Sequence, residues 1–256
     1  MIFSHVLILK EIMVEKNVYL TDLYCIYLSD LQAAVISDLH LGFEEVMNMN
    51  GLYLPKLQRD HVEGMVQKII ERYNPEKIII NGDFKQEFRK NLYQEWDDVI
   101  HFIDRFSSQA ELIFVRGNHD NYLQTILSRR NILQLDFYED DEYFIYHGDR
   151  DIGLRKFTIL GHEHPSLVLR DRVGGMYKIP AYVYNGESRI AITPAMSFFS
   201  SGTDVTQSLL NEEHFTPVLK KVKALQFRVF GITDDFGLVD FGYLSDLHER
   251  AQSGRP

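Results

Sequence analysis

Residues 77–83 read KIIINGD, a run that is apolar on both faces and then stops at a glycine and a carboxylate. The same order of an apolar run and a polar loop occurs earlier in AAVISDLHLG (33–42) and later in ELIFVRGNHD (111–120). Runs that are apolar on both faces are typical of strands buried within a parallel sheet. The three runs therefore predict three buried strands, each of which ends at a polar loop.

Two amphipathic helical patterns lie between these strands. The first follows Pro55 and closes at Asn74 and Pro75, and the second ends near Phe106. Their apolar stripes consist of Leu57, Val62, Met65, Val66, Ile69, Ile70 and Tyr73 in the first, and Trp96, Val99, Ile100, Ile103 and Phe106 in the second. Strands that alternate with helices in this way predict a parallel sheet with the helices as crossovers.

The second half of the chain has a different character, with short β-rich stretches and few helical signals between them. These stretches are EYFIYHGD, KFTILGH, SLVLRD, YKIPAYVYN, RIAIT, LQFRVFG and FGLVDFGYL. We therefore expect a second sheet packed on the first, in an α/β fold. The whole chain, 1–256, is expected to form a single domain, with an N-terminal strand region at 1–30 and a flexible polar tail at 249–256.

The composition limits the class of function. With 45% apolar residues, the 256-residue chain can build one sizeable core. Its formal net charge of −10 argues against a general DNA-coating protein, although it does not exclude a phosphate substrate. Cys25 is the only cysteine, which excludes an internal disulfide or a thiolate zinc cluster within one chain and favours a reducing cytoplasm.

The start of the chain does not predict a membrane or secretory segment. Lys10 and Glu11 interrupt its apolar patch well before membrane-spanning length. The basic start and small-residue cleavage site of a signal peptide are also missing. We therefore expect no membrane partner, and Met13 is an alternative to Met1 as the start of translation.

Polar residues of one kind follow the apolar runs. They are Asp38 and His40, Asp83, Asn118 with His119 and Asp120, His147, and His162 with His164. In open α/β sheets, ligands bind in the crevice beyond the carboxyl ends of the strands. The sequence therefore predicts that these side chains converge on one site.

This set of donors indicates a metal centre. Carboxylate, imidazole and amide groups are ligands of borderline-hard divalent ions, and the donors are too many for one tetrahedral ion. Two ions that share one carboxylate would use the whole set. In an extended segment, His162 and His164 would lie about 6.7 Å apart on the same side, where they could reach neighbouring ions.

Each short motif also has an ordinary structural interpretation. A lone Asp-x-His or Gly-Asp after a strand is usually a turn, and its histidine is usually satisfied by local contacts. GNHD (117–120) and GHEH (161–164) are rarer, because structure alone seldom requires paired or clustered polar residues after a buried strand. Their occurrence together and in order favours the metal site.

The order DLH (38–40), NGD (81–83), GNHD (117–120), YHGD (146–149) and GHEH (161–164) resembles the calcineurin-like metallophosphoesterase superfamily, in its small prokaryotic type. This resemblance implies a four-layer α-β-β-α sandwich of two mixed sheets flanked by helices. It also implies that the protein binds two divalent ions, for which Mn²⁺ is the favoured identity and Fe²⁺, Zn²⁺ or Ni²⁺ are alternatives.

The resemblance assigns a role to each polar residue. Asp38, His40 and His164 would hold the first ion, Asn118, His147 and His162 the second, and Asp83 would bridge them. His119 would be the catalytic acid, and Asp120 would set its tautomer and orientation.

Other residues carry weaker expectations. Lys85, Arg116 and Arg150 are candidates for binding a substrate phosphate, although surface salt bridges explain the two arginines better. Asp149 is a candidate to orient His147. Phe198 or Phe199 could stack a base, but core packing is the favoured interpretation for both. His61 and His101 are expected to be surface or helix-packing residues, and His5, His214 and His248 carry no signal.

These roles predict a two-metal phosphohydrolase. We expect a phosphodiesterase, including a nuclease as one form, in which a hydroxide that bridges the ions attacks phosphorus and His119 protonates the leaving oxygen. Phosphomonoesters and nucleotide pyrophosphates fit the same site. The expected binding partners are phosphate esters, including nucleotides or nucleic-acid ends. The sequence does not decide whether the protein forms a homodimer. A metal-stabilised interaction module in a DNA repair or processing complex is the remaining alternative, but such a module would need neither His119 nor Asp120.

Overall fold

The computed structural model describes residues 9–90, 92–170, 175–200, 202–208 and 216–253. Its first sheet has seven strands in the order of the sequence. They are β1 (Glu11–Glu15), β2 (Val18–Thr21), β3 (Ile26–Leu28), β4 (Ala33–Ile36), β5 (Lys77–Asn81), β6 (Glu111–Val115) and β7 (Gln134–Leu135). Strands β1 to β4 are antiparallel and β4 to β7 are parallel, so the sheet is mixed.

Two of the three connections in the parallel part of this sheet contain the predicted helices. The helices of this half are α1 (Phe43–Met49), α2 (Gln58–Tyr73), α3 (Tyr93–Phe106) and α4 (Leu123–Leu127). Helix α2 ends where Asn74 takes a left-handed conformation with φ 42°, directly before Pro75. Apolar side chains of α2 and α3, such as Val66 and Phe102, form one core with Ile78 and Ile80 of β5.

The second sheet has nine strands, and parallel and antiparallel pairs occur within it. The order β14-β11-β12-β13-β10-β9-β8 is extended by β15, which pairs with β12 and β16. The bounds are β8 (Tyr138–Glu139), β9 (Tyr143–Ile145), β10 (Phe157–Leu160), β11 (Pro165–Arg170), β12 (Met176–Asn185), β13 (Ile190–Ile192), β14 (Thr203–Asp204), β15 (Arg228–Thr233) and β16 (Gly237–Tyr243).

The two sheets pack face to face over a second core. Val35 and Ile79 of the first sheet meet Ile145, Ile159 and Tyr182 of the second in this core. The Tyr182 hydroxyl is fully buried and lies 2.9 Å from the carbonyl oxygen of Thr21 and 3.1 Å from that of Cys25. The contact between the sheets is therefore apolar, with a polar anchor at the Tyr182 hydroxyl.

A third core covers the outer face of the second sheet. Helices α5 (Val205–Ser208) and α6 (Leu244–Ser253) border this face, and Val205 and Leu244 pack with Leu160, Val183 and Val229. Helices, sheet, sheet and helices thus form the predicted four-layer sandwich of two mixed sheets. Residues 249–253 of the expected polar tail belong to α6, while 254–256 lie outside the described residues.

Candidate metal centre

The predicted polar residues meet where strands of both sheets end. The loops after β4, β5 and β6 carry Asp38, His40, Asp83 and Asn118, and those after β9 and β10 carry His147, His162 and His164. Parallel neighbours end at the same sheet edge, so the loops of one sheet lie side by side. The face-to-face packing of the sheets brings the second set of loops onto the first.

The donor atoms form two groups that share one residue. Asp38, His40, Asp83 and His164 each offer an atom within 4.8 Å of the others, and so do Asp83, His147 and His162. Asp83 belongs to both groups. The arrangement could therefore hold two neighbouring cations with one carboxylate between them.

Individual distances show how close these groups are. His164 Nε2 lies 3.0 Å from Asp38 Oδ1 and 3.4 Å from His40 Nε2. On the other side of the site, His147 Nε2 lies 3.3 Å from Asp83 Oδ2 and 3.2 Å from Asn118 Oδ1. Asn118 therefore joins the second group through its amide oxygen.

Unusual backbone conformations present these side chains. Five of the donor residues have positive φ: Asp38 at 57°, His40 at 48°, Asp83 at 47°, His162 at 64° and His164 at 45°. Residues other than glycine rarely adopt this region, and such strain concentrates at functional sites. The expectation that His162 and His164 lie in an extended segment is wrong, because β10 ends at Leu160 and the chain curls at both histidines.

The two buried carboxylates favour a positive charge between the two donor groups, as the pKa values of the neighbouring histidines indicate. Burial would lower the pKa of His147, but Asp83 outweighs it and raises that pKa to about 10. Burial also opposes the effect of Asp38 on His164, whose pKa is nevertheless raised. By contrast, burial lowers the pKa of His40 to about 4, which keeps this imidazole neutral.

The donor set therefore fits a divalent cation. The carboxylates of Asp38 and Asp83 are at most 2% exposed, and their pKa values are lowered because the neighbouring histidines outweigh the effect of burial. Two buried carboxylates surrounded by imidazole nitrogens and an amide oxygen match the ligand chemistry of Mn²⁺, Fe²⁺ or Zn²⁺.

Three hydrogen bonds hold the histidines in place, two of them to residues outside the donor groups. The Nδ1 atom of His164 lies 3.1 Å from Ser200 Oγ, and the Nδ1 atom of His147 lies 3.1 Å from the Asn81 carbonyl oxygen. The backbone N–H of His162 donates to Asp38. Sequence reasoning missed Ser200 and Asn81, and it offered Asp149 as a candidate to orient His147, a position that the Asn81 carbonyl takes instead.

The role expected for Asp120, to orient His119, needs correction, while the role of His119 as an acid stays a prediction. His119 Nδ1 lies 2.5 Å from the carbonyl oxygen of Gln86, and the backbone N–H of His119 donates to Asp83. The Asp120 carboxylate instead accepts backbone N–H groups of Phe84 at 2.9 Å and Gly117 at 2.9 Å. Asp120 therefore fastens the loops together, and the Gln86 carbonyl orients the His119 ring.

Lys85 does not face a substrate. Its side chain is fully buried, with Nζ 3.5 Å from the equally buried Glu95 and hydrogen-bonded to the Glu87 carbonyl oxygen. This burial contradicts the expectation that Lys85 binds a substrate phosphate. An ammonium group can be buried here because Glu95 supplies the opposite charge.

Arg150 makes the surface salt bridges that the sequence favoured, whereas Arg116 makes a surface hydrogen bond instead. Arg116 is exposed and donates to Asn121 at 3.1 Å. Arg150 pairs with Asp136 at 3.5 Å and with Asp149 at 3.7 Å. These exposed contacts leave a role in substrate binding for either arginine as a prediction.

The two phenylalanines differ in exposure, so the expectation of core packing fails for Phe198. Phe199 stacks on Phe43, with ring centroids 5.0 Å apart, whereas Phe198 is 51% exposed. The His61 ring lies beside the Phe198 ring, with ring centroids 5.4 Å apart.

The remaining histidines that the structure describes lie on helices, outside the donor groups. His101 lies on α3, and its Nδ1 atom is 2.6 Å from Glu63 Oε1 of α2, as expected for a helix-packing residue. His248 lies on α6, and His5 and His214 fall outside the described residues.

Comparison with known proteins defines the class. The sequence profile of the calcineurin-like phosphoesterase family matches residues 31–188, more than half of the chain. The chain therefore belongs to the calcineurin-like phosphoesterase family, whose members are metal-dependent hydrolases of phosphate esters. No curated protein matches the chain in sequence.

Among solved structures, the fold is similar to the crystal structure of the Pseudomonas putida nuclease MPE, with a TM-score of 0.65. The sequences are 19% identical, and the match covers 89% of this chain and 98% of that chain. At this identity the likeness shows the shared fold. In the part of the chain that the structure describes, no helix has the length and apolar content needed to cross a membrane.

Proposed function

We propose that the protein is a two-metal phosphodiesterase with nuclease activity. The observation that carries this proposal is the position of Asp83, which belongs to both groups of donor atoms. A carboxylate shared in this way can hold two cations close together, and such a pair can stabilise both the attacking and the leaving oxygen of an in-line displacement. Membership of the family defines the reaction class, which is hydrolysis of phosphate esters. What we propose beyond it is that two ions are bound and that diesters are preferred.

Each cation would have its own ligands. Asp38, His40 and His164 would hold one ion, Asn118, His147 and His162 the other, and Asp83 both. The nitrogen and oxygen donors suit Mn²⁺, with Fe²⁺, Zn²⁺ and Ni²⁺ as alternatives. When bound, such ions neutralise the charge of a phosphate ester and acidify water near neutral pH.

The remaining chemistry falls to residues of the chain. His119 would donate a proton to the leaving oxygen, because an alkoxide leaves poorly unless it is protonated. The contact from His119 Nδ1 to the Gln86 carbonyl oxygen supports this role, since a carbonyl only accepts and so keeps a proton on Nδ1. The second nitrogen, Nε2, is then the one that can deliver a proton when the ring is charged.

The nature of the substrate follows from weaker observations. The structurally similar protein from Pseudomonas putida is described as a nuclease. The net charge of −10 disfavours wide contact with a nucleic-acid backbone and favours small substrates or nucleic-acid ends. Phosphomonoesters and nucleotide pyrophosphates would fit the same donors, so a panel of substrates must separate them.

Metal content and hydrolysis test the proposal together. The protein, stripped of metal and dialysed against Mn²⁺, is expected to bind two ions per chain and to hydrolyse bis-p-nitrophenyl phosphate. Asp83→Ala is expected to lose both ions and the activity, because it removes the shared ligand. The matched control is Asp97→Ala, which changes an exposed carboxylate of α3.

Other outcomes would favour other functions. A wild-type protein that binds one ion, or an Asp83→Ala variant with full activity, would overturn the two-metal proposal. Hydrolysis of phosphomonoesters alone would replace the diesterase with a monoesterase. Two bound ions without hydrolysis of any mono-, di-, cyclic or nucleic-acid phosphate would favour the metal-stabilised interaction module.

A further inference from the structure

A groove runs along the protein beside His164. It encloses about 450 Å³, within the range of roughly 300–1,000 Å³ that small-molecule pockets occupy. Tyr24, His61 and Phe198 contribute aromatic rings to its lining, and Lys178 contributes a positive charge. Because His164 also belongs to the first donor group, the groove borders the candidate metal centre at this residue.

The Phe198 ring is held in place but left open on the groove. Its backbone N–H donates to Gln58 Oε1 at 3.0 Å, and its ring meets Phe199 edge-on with centroids 5.1 Å apart. Phe199 is in turn stacked on Phe43. Although these contacts fix its position, 51% of Phe198 is exposed. A fixed and exposed aromatic ring offers a stacking surface for a planar ligand.

Two hydroxyl groups in the lining lack partners. The Oγ atoms of Ser166 and Ser197 are buried and have no hydrogen-bond partner among the described residues, and both residues line the groove. Both residues are less than one-tenth exposed. Buried polar groups are normally paired, so an unpaired one requires an explanation. Because both oxygens are closed to solvent, a ligand in the groove would reach them only after a local shift of the lining, and the assignment of a ligand to the groove does not depend on them.

Charge limits the identity of the ligand. Lys178 is the only lysine or arginine in the described lining, and its ammonium group donates to the Gly202 carbonyl oxygen. Asp234 also lines the groove and balances the charge of Lys178, so the lining offers no excess positive charge to a polyanion. The groove therefore fits one aromatic group that is attached to a phosphate, rather than an extended phosphate backbone.

We infer that this groove binds a nucleobase of the substrate, stacked on Phe198, while the attached phosphate lies at the metal centre. The inference rests on the proposed function, because it takes the ester phosphate to bind beside His164. Stacking uses the π-face that every base has, so the groove would select nucleotides over base-free phosphates without selecting one base sequence.

The test compares ligands with and without a base. Adenosine 5′-monophosphate and ribose 5-phosphate are titrated against the Mn²⁺-loaded protein by calorimetry. The wild-type protein is expected to bind the nucleotide more tightly. Phe198→Ala is expected to reduce the ratio of the two affinities about 10-fold, as base stacking on an aromatic side chain implies. Phe198→Tyr keeps a ring and is expected to keep the ratio.

A matched control and the opposing outcomes complete the test. Tyr243→Ala removes a ring that is 49% exposed on β16, outside the groove lining, and should leave the ratio unchanged. An unchanged ratio in Phe198→Ala overturns the inference. Hydrolysis is measured separately with bis-p-nitrophenyl phosphate. If hydrolysis fails while binding still depends on Phe198, the groove stands and the proposed function falls.

Discussion

The Nδ1 atom of His119 lies 2.5 Å from the carbonyl oxygen of Gln86. This contact joins the residue proposed as the general acid to the loop that follows Asp83. The same loop is fastened at its start by Asp120, which accepts the Phe84 N–H, and further on by the buried pair of Lys85 and Glu95. The orientation of the proposed general acid thus depends on a loop that is fixed at several points.

The first prediction separates acid catalysis from metal binding. His119→Ala is expected to lower kcat about 10²- to 10⁴-fold for a diester with an alkoxide leaving group. The loss should be much smaller for p-nitrophenolate, because this anion leaves without protonation. Steady-state kinetics on the two diesters measures the difference, and metal analysis should show that both ions are retained. Equal losses on both substrates would contradict the role of His119 as an acid.

The second prediction concerns the buried ion pair. Lys85→Met leaves the Glu95 carboxylate buried without its positive partner, so the free energy of unfolding should fall by about 3–5 kcal/mol. Urea denaturation measures this change.

A double variant serves as the control for Lys85. Lys85→Met with Glu95→Gln removes the unpaired charge, while the amide oxygen can still accept the Glu87 N–H that Glu95 now accepts at 2.6 Å. More than half of the lost stability should return. A single variant as stable as the wild type would show that the pair does not hold this loop.

The third prediction concerns the metal affinity. Ser200→Ala removes the hydroxyl that lies 3.1 Å from His164 Nδ1. Loss of such an orienting contact typically weakens metal binding about 10- to 100-fold. Competition with a chelator of known affinity measures the change, and Ser200→Thr, which keeps a hydroxyl, should behave as the wild type. An alanine variant with unchanged affinity would show that Ser200 does not orient His164.

The fourth prediction is a dependence of stability on pH. Burial raises the pKa of Asp98 from 3.8 to about 6. Between these two pH values the folded protein holds a proton that the unfolded chain has lost, so the free energy of unfolding falls as pH rises. Above pH 6 the destabilisation is complete. Asp98→Asn removes the charge and should be more stable than the wild type by about 1–2 kcal/mol at pH 7.5.

Asp97 provides the comparison for Asp98. Both carboxylates pair with Arg59, but the Asp97 side chain is 63% exposed and that of Asp98 is 5% exposed. Asp97→Asn should therefore change the free energy of unfolding little at any pH. Urea denaturation at pH 4 and pH 7.5 compares the three proteins. A stabilising effect of Asp98→Asn that is as large at pH 4 as at pH 7.5 would contradict the assignment.

The regular part of the fold follows from periodicity in the sequence. Strands β4, β5 and β6 are continuous apolar runs, which indicates burial on both faces of the sheet. Helices α2 and α3 carry apolar stripes, which indicates burial on one face of each helix. Helix α6 was missed because its sequence, LSDLHERAQS, is mostly polar. Its packing depends on Leu244 and Leu247, which meet the outer face of the second sheet.

The candidate site was predictable where side-chain chemistry defines it and less so where the backbone does. Asp38, Asp83 and His147 stand out as donors after apolar runs. The contact of His119 with Gln86 uses a carbonyl that every residue has, so no residue type indicates it. Lys85 was misassigned because the sequence does not show that Glu95, on another element, would neutralise its charge.

The two donor groups are completed late in the order of the chain. A ribosome adds about 5–20 residues per second and releases the N-terminal part first. Asp38, His40 and Asp83 therefore emerge well before His162 and His164, although each group needs one of these two histidines. A nascent chain that stops short of residue 162 carries the first sheet without a complete cation site. Both donor groups are thus complete only in chains that extend to His164, just beyond the end of β10.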